Sequence, residues 1–218
     1  MQPLLPHYIL GEQFIVSAQR TLFWEAQQTL ILSDLHLGKT GHFRKSGIAI
    51  PQNIFKEDLH KLLQEVQFFK PKKIIIVGDL FHSSFNKEFE LFKRWRNDID
   101  YVAIDLIKGN HDILPAQVYT HANIQVIPSH HIINGFCFTH DMADVKQVKA
   151  EYFFSGHIHP GINIKGLGKQ SLQLACFYFT EKYAVLPAFG RFTGTHTIKP
   201  QKGDHVYGLV ENKVTKIY

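Results

Sequence analysis

Seven side chains that can bind metal ions come shortly after apolar runs in this chain of 218 residues. They are two carboxylates, one carboxamide and four imidazoles: Asp34, Asp79, Asn110, His36, His140, His157 and His159. Oxygen and nitrogen ligands without a thiolate suit manganese, iron or zinc, but they do not suit a structural zinc site. Seven ligands are too many for one tetrahedral ion. They are too few for two six-coordinate ions unless one carboxylate bridges and water or substrate completes the coordination. The set therefore predicts a catalytic centre with two divalent ions, and we expect manganese to be the most effective metal.

Each of these side chains has an ordinary alternative when it is taken alone. A single histidine near a strand end is usually hydrogen bonded in the core or in a loop. Five separate segments that all follow apolar runs favour metal binding instead. The assignment of His140 depends on its position after the run 136–138, and His130 and His131 are nearby candidates for the same role.

The apolar runs predict the elements that position these side chains. Residues 29–32, 73–77, 101–107, 136–138 and 152–154 are rich in β-branched and aromatic residues and are bounded by Gly, Asn or Asp, which is typical of buried strands. Because the carboxyl ends of neighbouring strands in a layered α/β domain meet at one crevice, residues far apart in sequence can surround a common ion.

The rest of the chain predicts two sheets flanked by helices, in one domain that spans residues 1–218. Residues 14–16 and 22–24 predict strands near one sheet edge, and residues 171–179, 183–186, 206–210 and 214–217 predict a second sheet. A helix is expected from Pro51 to just before Pro71, because apolar residues recur at helical spacing there. A second helix is expected over residues 87–97.

Composition indicates an ordinary globular protein. Hydrophobic residues make up 44% and charged residues 20%, and no apolar run approaches the roughly 20 residues that a membrane-spanning helix needs. The start of the chain lacks a basic segment, and Cys137 and Cys176 lack paired spacing, so we expect a cytoplasmic protein with free buried thiols. The net charge of +5 permits a polyanionic partner without requiring one.

The ligand-bearing segments resemble the motif series of the calcineurin-like metallophosphoesterases: DxH, GD, GNH followed by an acidic residue, a single H, and GHxH. The resemblance spans residues 34–159 and implies a four-layer α/β/β/α sandwich of two mixed β-sheets flanked by helices. It assigns Asp34, His36 and His159 to one ion, and Asn110, His140 and His157 to the other. It also makes Asp79 the bridging ligand and His111 the catalytic acid.

Two longer stretches, residues 36–48 and 186–194, resemble the bacterial DNA-ligase-associated metallophosphoesterases. This resemblance implies a DNA endonuclease of the damage response, linked to an ATP-dependent DNA ligase, a helicase and an exonuclease-like protein. The first stretch carries Lys39 and Arg44, which are expected to bind phosphates beside the scissile one. An ordinary solvated loop is the alternative.

Residues 78–83 are similar to a segment of the nuclease subunit of double-strand-break repair complexes, and this implies that His82 helps to position phosphate. A histidine that caps the strand end is the alternative. The Asp-Arg-Gly motif of protein phosphatases is missing, so that class is disfavoured. Residues 1–218 are not expected to include the extra DNA-capping domain of the break-repair nuclease, and residues 195–197 depart from the ligase-associated pattern. A small-molecule nucleotide phosphodiesterase and a non-catalytic scaffold therefore remain as alternatives, although a scaffold would be expected to have lost ligands.

Overall fold

Residues 4–39, 54–82, 87–166, 171–191, 193–210 and 212–218 are described by a computed structural model, and the structural statements below concern these residues. The first sheet has seven strands in the order of the chain. They are β1 (Leu4–Ile9), β2 (Glu12–Ser17), β3 (Leu22–Trp24), β4 (Thr29–Leu32), β5 (Lys73–Val77), β6 (Ala103–Ile107) and β7 (Ile124–Ile127). The pairs β1–β2, β2–β3 and β3–β4 are antiparallel, and the pairs β4–β5, β5–β6 and β6–β7 are parallel.

Three α-helices pack on the outer face of this sheet: α1 (Ile54–Phe69), α2 (Lys87–Asp98) and α3 (Ala116–His121). In α1 the buried residues Phe55, Leu59, Leu62 and Val66 recur at the spacing of one helical face and pack against the side chains of β4 to β6. The helix ends at Phe69, and Pro71 follows. The predicted start at Pro51 lies outside the described residues.

The second sheet is mixed as well, and its described part has nine strands. They are β8 (His130–Ile133), β9 (Phe136–Thr139), β10 (Tyr152–Ser155), β11 (Pro160–Lys165), β12 (Ser171–Phe179), β13 (Tyr183–Val185), β14 (His196–Thr197), β15 (His205–Val210) and β16 (Lys213–Lys216). Strands β9, β10 and β13 are parallel neighbours, and most other pairs are antiparallel. A short 3₁₀-helix follows β9 at Met142–Val145.

Aromatic side chains fill the space between the two sheets. Phe138 and Phe154 stack with ring centroids 5.2 Å apart, while Phe14 lies 5.4 Å from Trp24 and 5.3 Å from Phe154. This layer joins the antiparallel edge of the first sheet to the parallel strands of the second. The far face of the second sheet carries a smaller cluster that includes Cys176 and Ile198.

The predicted α/β class with two mixed sheets is confirmed. The strand predicted over residues 101–107 begins only at Ala103, because Tyr101 lies in the turn after α2 and is 69% exposed. Sequence reasoning did not identify α3, β7, β8, β11 or β14. Both cysteines are free and buried, as expected. No helix in the described part of the chain is long and apolar enough to cross a membrane.

Candidate metal centre

The candidate ligands lie at the carboxyl ends of parallel strands. Asp34, Asp79 and Asn110 follow β4, β5 and β6, which are neighbours in the first sheet, and His140 and His157 follow the neighbouring strands β9 and β10 of the second. Backbone hydrogen bonds tie these loops together, because Asp34 N donates to Gly78 O over 3.1 Å and Gly156 N donates to His140 O over 3.1 Å. His157 N donates to Asp34 Oδ2 over 3.1 Å, so the two sheets contribute to one cluster.

One group of possible metal ligands contains Asp34, His36 and His159. The Nε2 atoms of His36 and His159 are 3.3 Å apart, and Asp34 Oδ1 is 3.3 Å from His159 Nε2 and 4.0 Å from His36 Nε2. His159 Nδ1 lies 3.2 Å from the carbonyl of Gly194, so Nδ1 carries the proton and Nε2 presents its lone pair to the group.

The other group is built around His140. Its Nε2 lies 3.1 Å from Asn110 Oδ1 and 3.1 Å from His157 Nδ1. His140 Nδ1 lies 3.3 Å from Val77 O, and a hydrogen bond to this carbonyl again directs the Nε2 lone pair to the group. His140 is almost completely buried, whereas His157 is partly open to solvent.

Asp79 lies between the two groups. Its Oδ2 is 3.9 Å from His36 Nε2 and 3.5 Å from His140 Nε2, while its Oδ1 accepts a hydrogen bond from His111 N over 2.9 Å. Asp34 Oδ1 also lies 3.9 Å from His140, but from the Nδ1 atom that faces Val77 O. Asp34, Asp79 and His140 also form a group of possible ligands, and Asp79 Oδ2 is the carboxylate oxygen that lies near the Nε2 atoms of both His36 and His140.

The donor atoms suit divalent cations. Acceptor atoms face one another across about 3 to 4 Å, a spacing compatible with ligands about 2.0–2.2 Å from a common ion. Among the described residues, Asp34 Oδ1 is buried and accepts no hydrogen bond. Burial raises the pKa of Asp34, but His159, His140 and the Ser33 hydroxyl outweigh it and keep this pKa below its usual value. Burial lowers the pKa of His36 to about 3, so its imidazole is neutral at pH 7. The Asp34 carboxylate and the His36 imidazole are therefore in the protonation states that metal binding needs.

Glycines let the ligand side chains cross the neighbouring backbone. A Cβ atom at Gly78 would overlap with the His140 ring, one at Gly109 with the Asp79 carboxylate, and one at Gly156 with Asp34 Oδ2. The glycine of each GD, GN and GH pair is therefore required by close packing around the ligands.

The backbone at the candidate ligands is strained. Asp34, His36, Asp79, His157 and His159 have φ between +48° and +67°, a left-handed conformation that costs a non-glycine residue about 1–2 kcal/mol. Such strain persists only where the surrounding structure enforces it, and it concentrates at functional sites. Sequence reasoning gave no indication of this feature.

The structure brings His111 and His82 to the same centre. The His36 ring centroid is 5.4 Å from that of His111 and 5.4 Å from that of His82, and His82 and His111 are 4.5 Å apart. Burial lowers the pKa of Lys39 below its usual value, and the nearby charges of Asp34 and Asp79 offset part of this effect. Arg44 lies outside the described residues. The alternatives His130 and His131 lie in β8, where His130 contacts Ser129.

Two supporting residues had no role assigned from the sequence. Ser33 donates to Asp34 Oδ2 over 2.6 Å. Asp112 joins two ligand loops, because its carboxylate accepts from Phe81 N over 3.1 Å and from Gly109 N over 2.9 Å. Burial raises the pKa of Asp112 to about 6, against the effect of these two hydrogen bonds.

Comparison with known proteins gives a family match and a similar fold. Residues 28–128 match the model of the calcineurin-like phosphoesterase family, which confirms the resemblance inferred from the motifs and supports a hydrolase of phosphoesters. The structure of the Pseudomonas putida nuclease MPE is similar with a TM-score of 0.83 and 24% identity, over 98% of this chain and 100% of that chain. This similarity shows that the two proteins share a fold.

Two further solved structures are similar to smaller parts of the fold. A protein of unknown function from Aquifex aeolicus aligns over 65% of this chain and 82% of its own, with 14% identity and a TM-score of 0.44. Yfce, a phosphoesterase from E. coli, aligns over 84% of this chain and 88% of its own, with 12% identity and a TM-score of 0.42. No curated protein matches the sequence significantly.

The position of Asp79 predicts how metal content responds to mutation. Asp79→Asn should lower the occupancy of both ions, because one oxygen faces both groups, whereas Asp34→Asn should chiefly lower one. The measurement is elemental analysis after manganese loading and removal of free metal. Asp105→Asn is the matched control, since Asp105 is equally buried but pairs with Lys73. Wild-type occupancy of both ions in Asp79→Asn would show that the bridge lies elsewhere.

Proposed function

We propose that this chain is a two-metal-dependent phosphodiesterase that cleaves DNA. The observation that carries the proposal is the convergence of seven possible metal ligands at one place, where Asp79 Oδ2 lies near the Nε2 atoms of both His36 and His140. Asp34, His36 and His159 would hold one ion, Asn110, His140 and His157 the other, and Asp79 would contact both. Bound divalent ions would polarise the phosphoryl oxygen and supply a nucleophilic hydroxide at neutral pH. Manganese is the metal that we propose, with iron or zinc as alternatives that suit the same donors.

His111 is proposed as the proton donor to the leaving alkoxide. Its backbone N–H is bound to Asp79 Oδ1, and its ring contacts those of His36 and His82, so it lies beside the proposed ions without belonging to either group. His82 is proposed to position the phosphate, because its ring lies next to both His36 and His111.

DNA is proposed as the substrate from three observations. The closely similar fold is that of a nuclease. The positive charge of Lys39 interacts with the carboxylates of Asp34 and Asp79. The net charge of +5 is compatible with a polyanion. Arg44 is proposed to act with Lys39 on flanking phosphates. Together with the resemblance of residues 36–48 and 186–194 to the ligase-associated proteins, this supports an endonuclease role in DNA repair. A functional link to an ATP-dependent ligase and a helicase, in the reducing cytoplasm, belongs to the same proposal.

The first test is metal dependence. Protein stripped of metal should not cleave DNA or bis-p-nitrophenyl phosphate, and added manganese should restore both activities, because the bound ions would supply the nucleophilic hydroxide. The assay follows product release before and after chelation and after metal addition. Full activity of protein shown by elemental analysis to be metal-free would contradict the two-metal proposal.

The second test concerns the substrate. Lys39→Ala should reduce cleavage of DNA more than cleavage of the small diester, because only the polymer presents phosphates beside the scissile one. Arg44→Ala should behave in the same way. Lys213→Ala, on the exposed strand β16, is the matched control and should leave both rates unchanged. Equal losses on both substrates would favour a small-molecule nucleotide phosphodiesterase.

The third test concerns the leaving group. His111→Asn should reduce turnover on DNA by about 10²–10⁴-fold while both ions remain bound, because a nucleoside alkoxide needs a proton to depart. p-Nitrophenolate leaves without one, so the loss on the aryl diester should be much smaller. Equal losses on both substrates together with loss of metal would make His111 a structural support of its neighbours.

A further inference from the structure

A segment of the second half of the chain lies directly against Asp34. Phe189 N donates to Ser33 O over 2.8 Å, Gly190 N donates to Asp34 O over 3.1 Å, and Ala188 forms a parallel bridge with Ser33. A Cβ atom at Gly190 would overlap with the carbonyl of Leu35. Residues 188–190 therefore act as a short added strand beside the loop that presents Asp34.

Two basic side chains from other parts of the fold bind the carbonyls of residues 188–190. Arg20 Nη1 donates to Ala188 O over 2.9 Å and to Gly190 O over 3.3 Å. Lys61 Nζ, from α1, donates to Phe189 O over 3.2 Å and lies 3.8 Å from the centroid of the Phe189 ring. Each of the three carbonyls in the segment thus accepts from a cationic side chain.

Lys61 is an unusual residue for this position. It is 7% exposed, and it lies near the buried carboxylates of Asp58 and Glu65 on the same helix. Burial lowers the pKa of Lys61 to about 7, with Arg20 acting in the same direction and Asp58 against it. Burying an ammonium costs free energy, and an apolar side chain of similar volume is often at least as stabilising. A specific geometric role for the amine accounts better for its presence than stability does.

Asp34 is the ligand that depends on this geometry. Its φ of +52° is strained, and its carbonyl is bound by Gly190 N, so the placement of residues 188–190 limits how far the Asp34 backbone can relax. We propose that Lys61 and Arg20 are positioning residues that hold residues 188–190 against Asp34 and so orient its carboxylate for the ion that it would share with His36 and His159. The inference rests on the proposed metal centre.

The test measures manganese affinity at each position. Lys61→Met keeps the length and apolar stem of the side chain but removes the donor to Phe189 O. It should weaken the binding of one manganese ion by about 10- to 100-fold, the usual effect of removing a residue that supports a ligand. The affinity for the second ion should stay unchanged. Titration calorimetry at a temperature where every variant is folded gives both affinities.

The matched control is Lys73→Met. Lys73 pairs with the buried Asp105 over 2.6 Å at the start of β5, at the end of the strand opposite Asp79. Its loss leaves a buried carboxylate unpaired and should lower the unfolding temperature without changing either manganese affinity. A general loss of stability is thereby separated from a specific loss of metal binding.

The outcomes separate the inference from the proposed function. Absence of manganese binding by the wild-type protein would overturn the metal centre itself. If Lys61→Met binds both manganese ions with wild-type affinity, or binds both more weakly by the same factor, the positioning role is overturned while the metal centre stands. If Lys61→Met does not fold, Arg20→Gln decides. It removes the donor to Ala188 O and Gly190 O from a partly exposed turn, and it should weaken the same ion selectively; unchanged affinities would overturn the inference.

Discussion

The structure depends on keeping a set of hydrogen-bond acceptors close together in a place with few donors. Lone pairs of His140, His159, Asn110 and two aspartates face one another across about 3 to 4 Å, an arrangement that is unfavourable without cations. The chain does not relieve it by adding donors to the ligand atoms. For the two aspartates, donors are bound to the other carboxylate oxygen: the Ser33 hydroxyl on Asp34 Oδ2, and the His111 N–H on Asp79 Oδ1. These contacts leave Oδ1 of Asp34 and Oδ2 of Asp79 for an ion.

The aromatic layer between the sheets is what brings the ligands together. The first sheet supplies the oxygen ligands and His36, and the second supplies three of the imidazoles. Phe14 of the first sheet contacts Phe136 and Phe154 of the second, and these contacts fix the two sheets against each other below the loops of His140 and His157. A shift between the sheets would therefore separate oxygen from nitrogen ligands. This explains why ligands from positions 34 to 159 can form one site.

The parts of the site that could be predicted from sequence are those set by local patterns. The apolar runs before Asp34 and Asp79 identified β4 and β5 with their observed bounds, because β-branched residues flanked by polar ones are a strong strand signal. The six-residue helix α3 and the two-residue strand β14 are too short for a periodic pattern. Other features depend on tertiary contacts and cannot be predicted from residue types. They are the left-handed φ of Asp34 and His159, and the carbonyls that orient His140 and His159.

The buried charged residues of α1 could not be predicted from the sequence either. The apolar spacing of the helix predicted one buried face, but Asp58, Lys61 and Glu65 are buried beside that face. Helical periodicity would place such residues towards solvent. Segments distant in sequence cover this side of the helix: Lys61 donates to Phe189 O, and Glu65 accepts a hydrogen bond from the Thr21 hydroxyl. The strained loop of Asp34 is therefore supported at a distance: the segment that restrains it is bound to a helix and a turn, and neither of these carries a ligand. A site of mutually repelling acceptors needs such support, because the ligands cannot stabilise one another before the ions arrive.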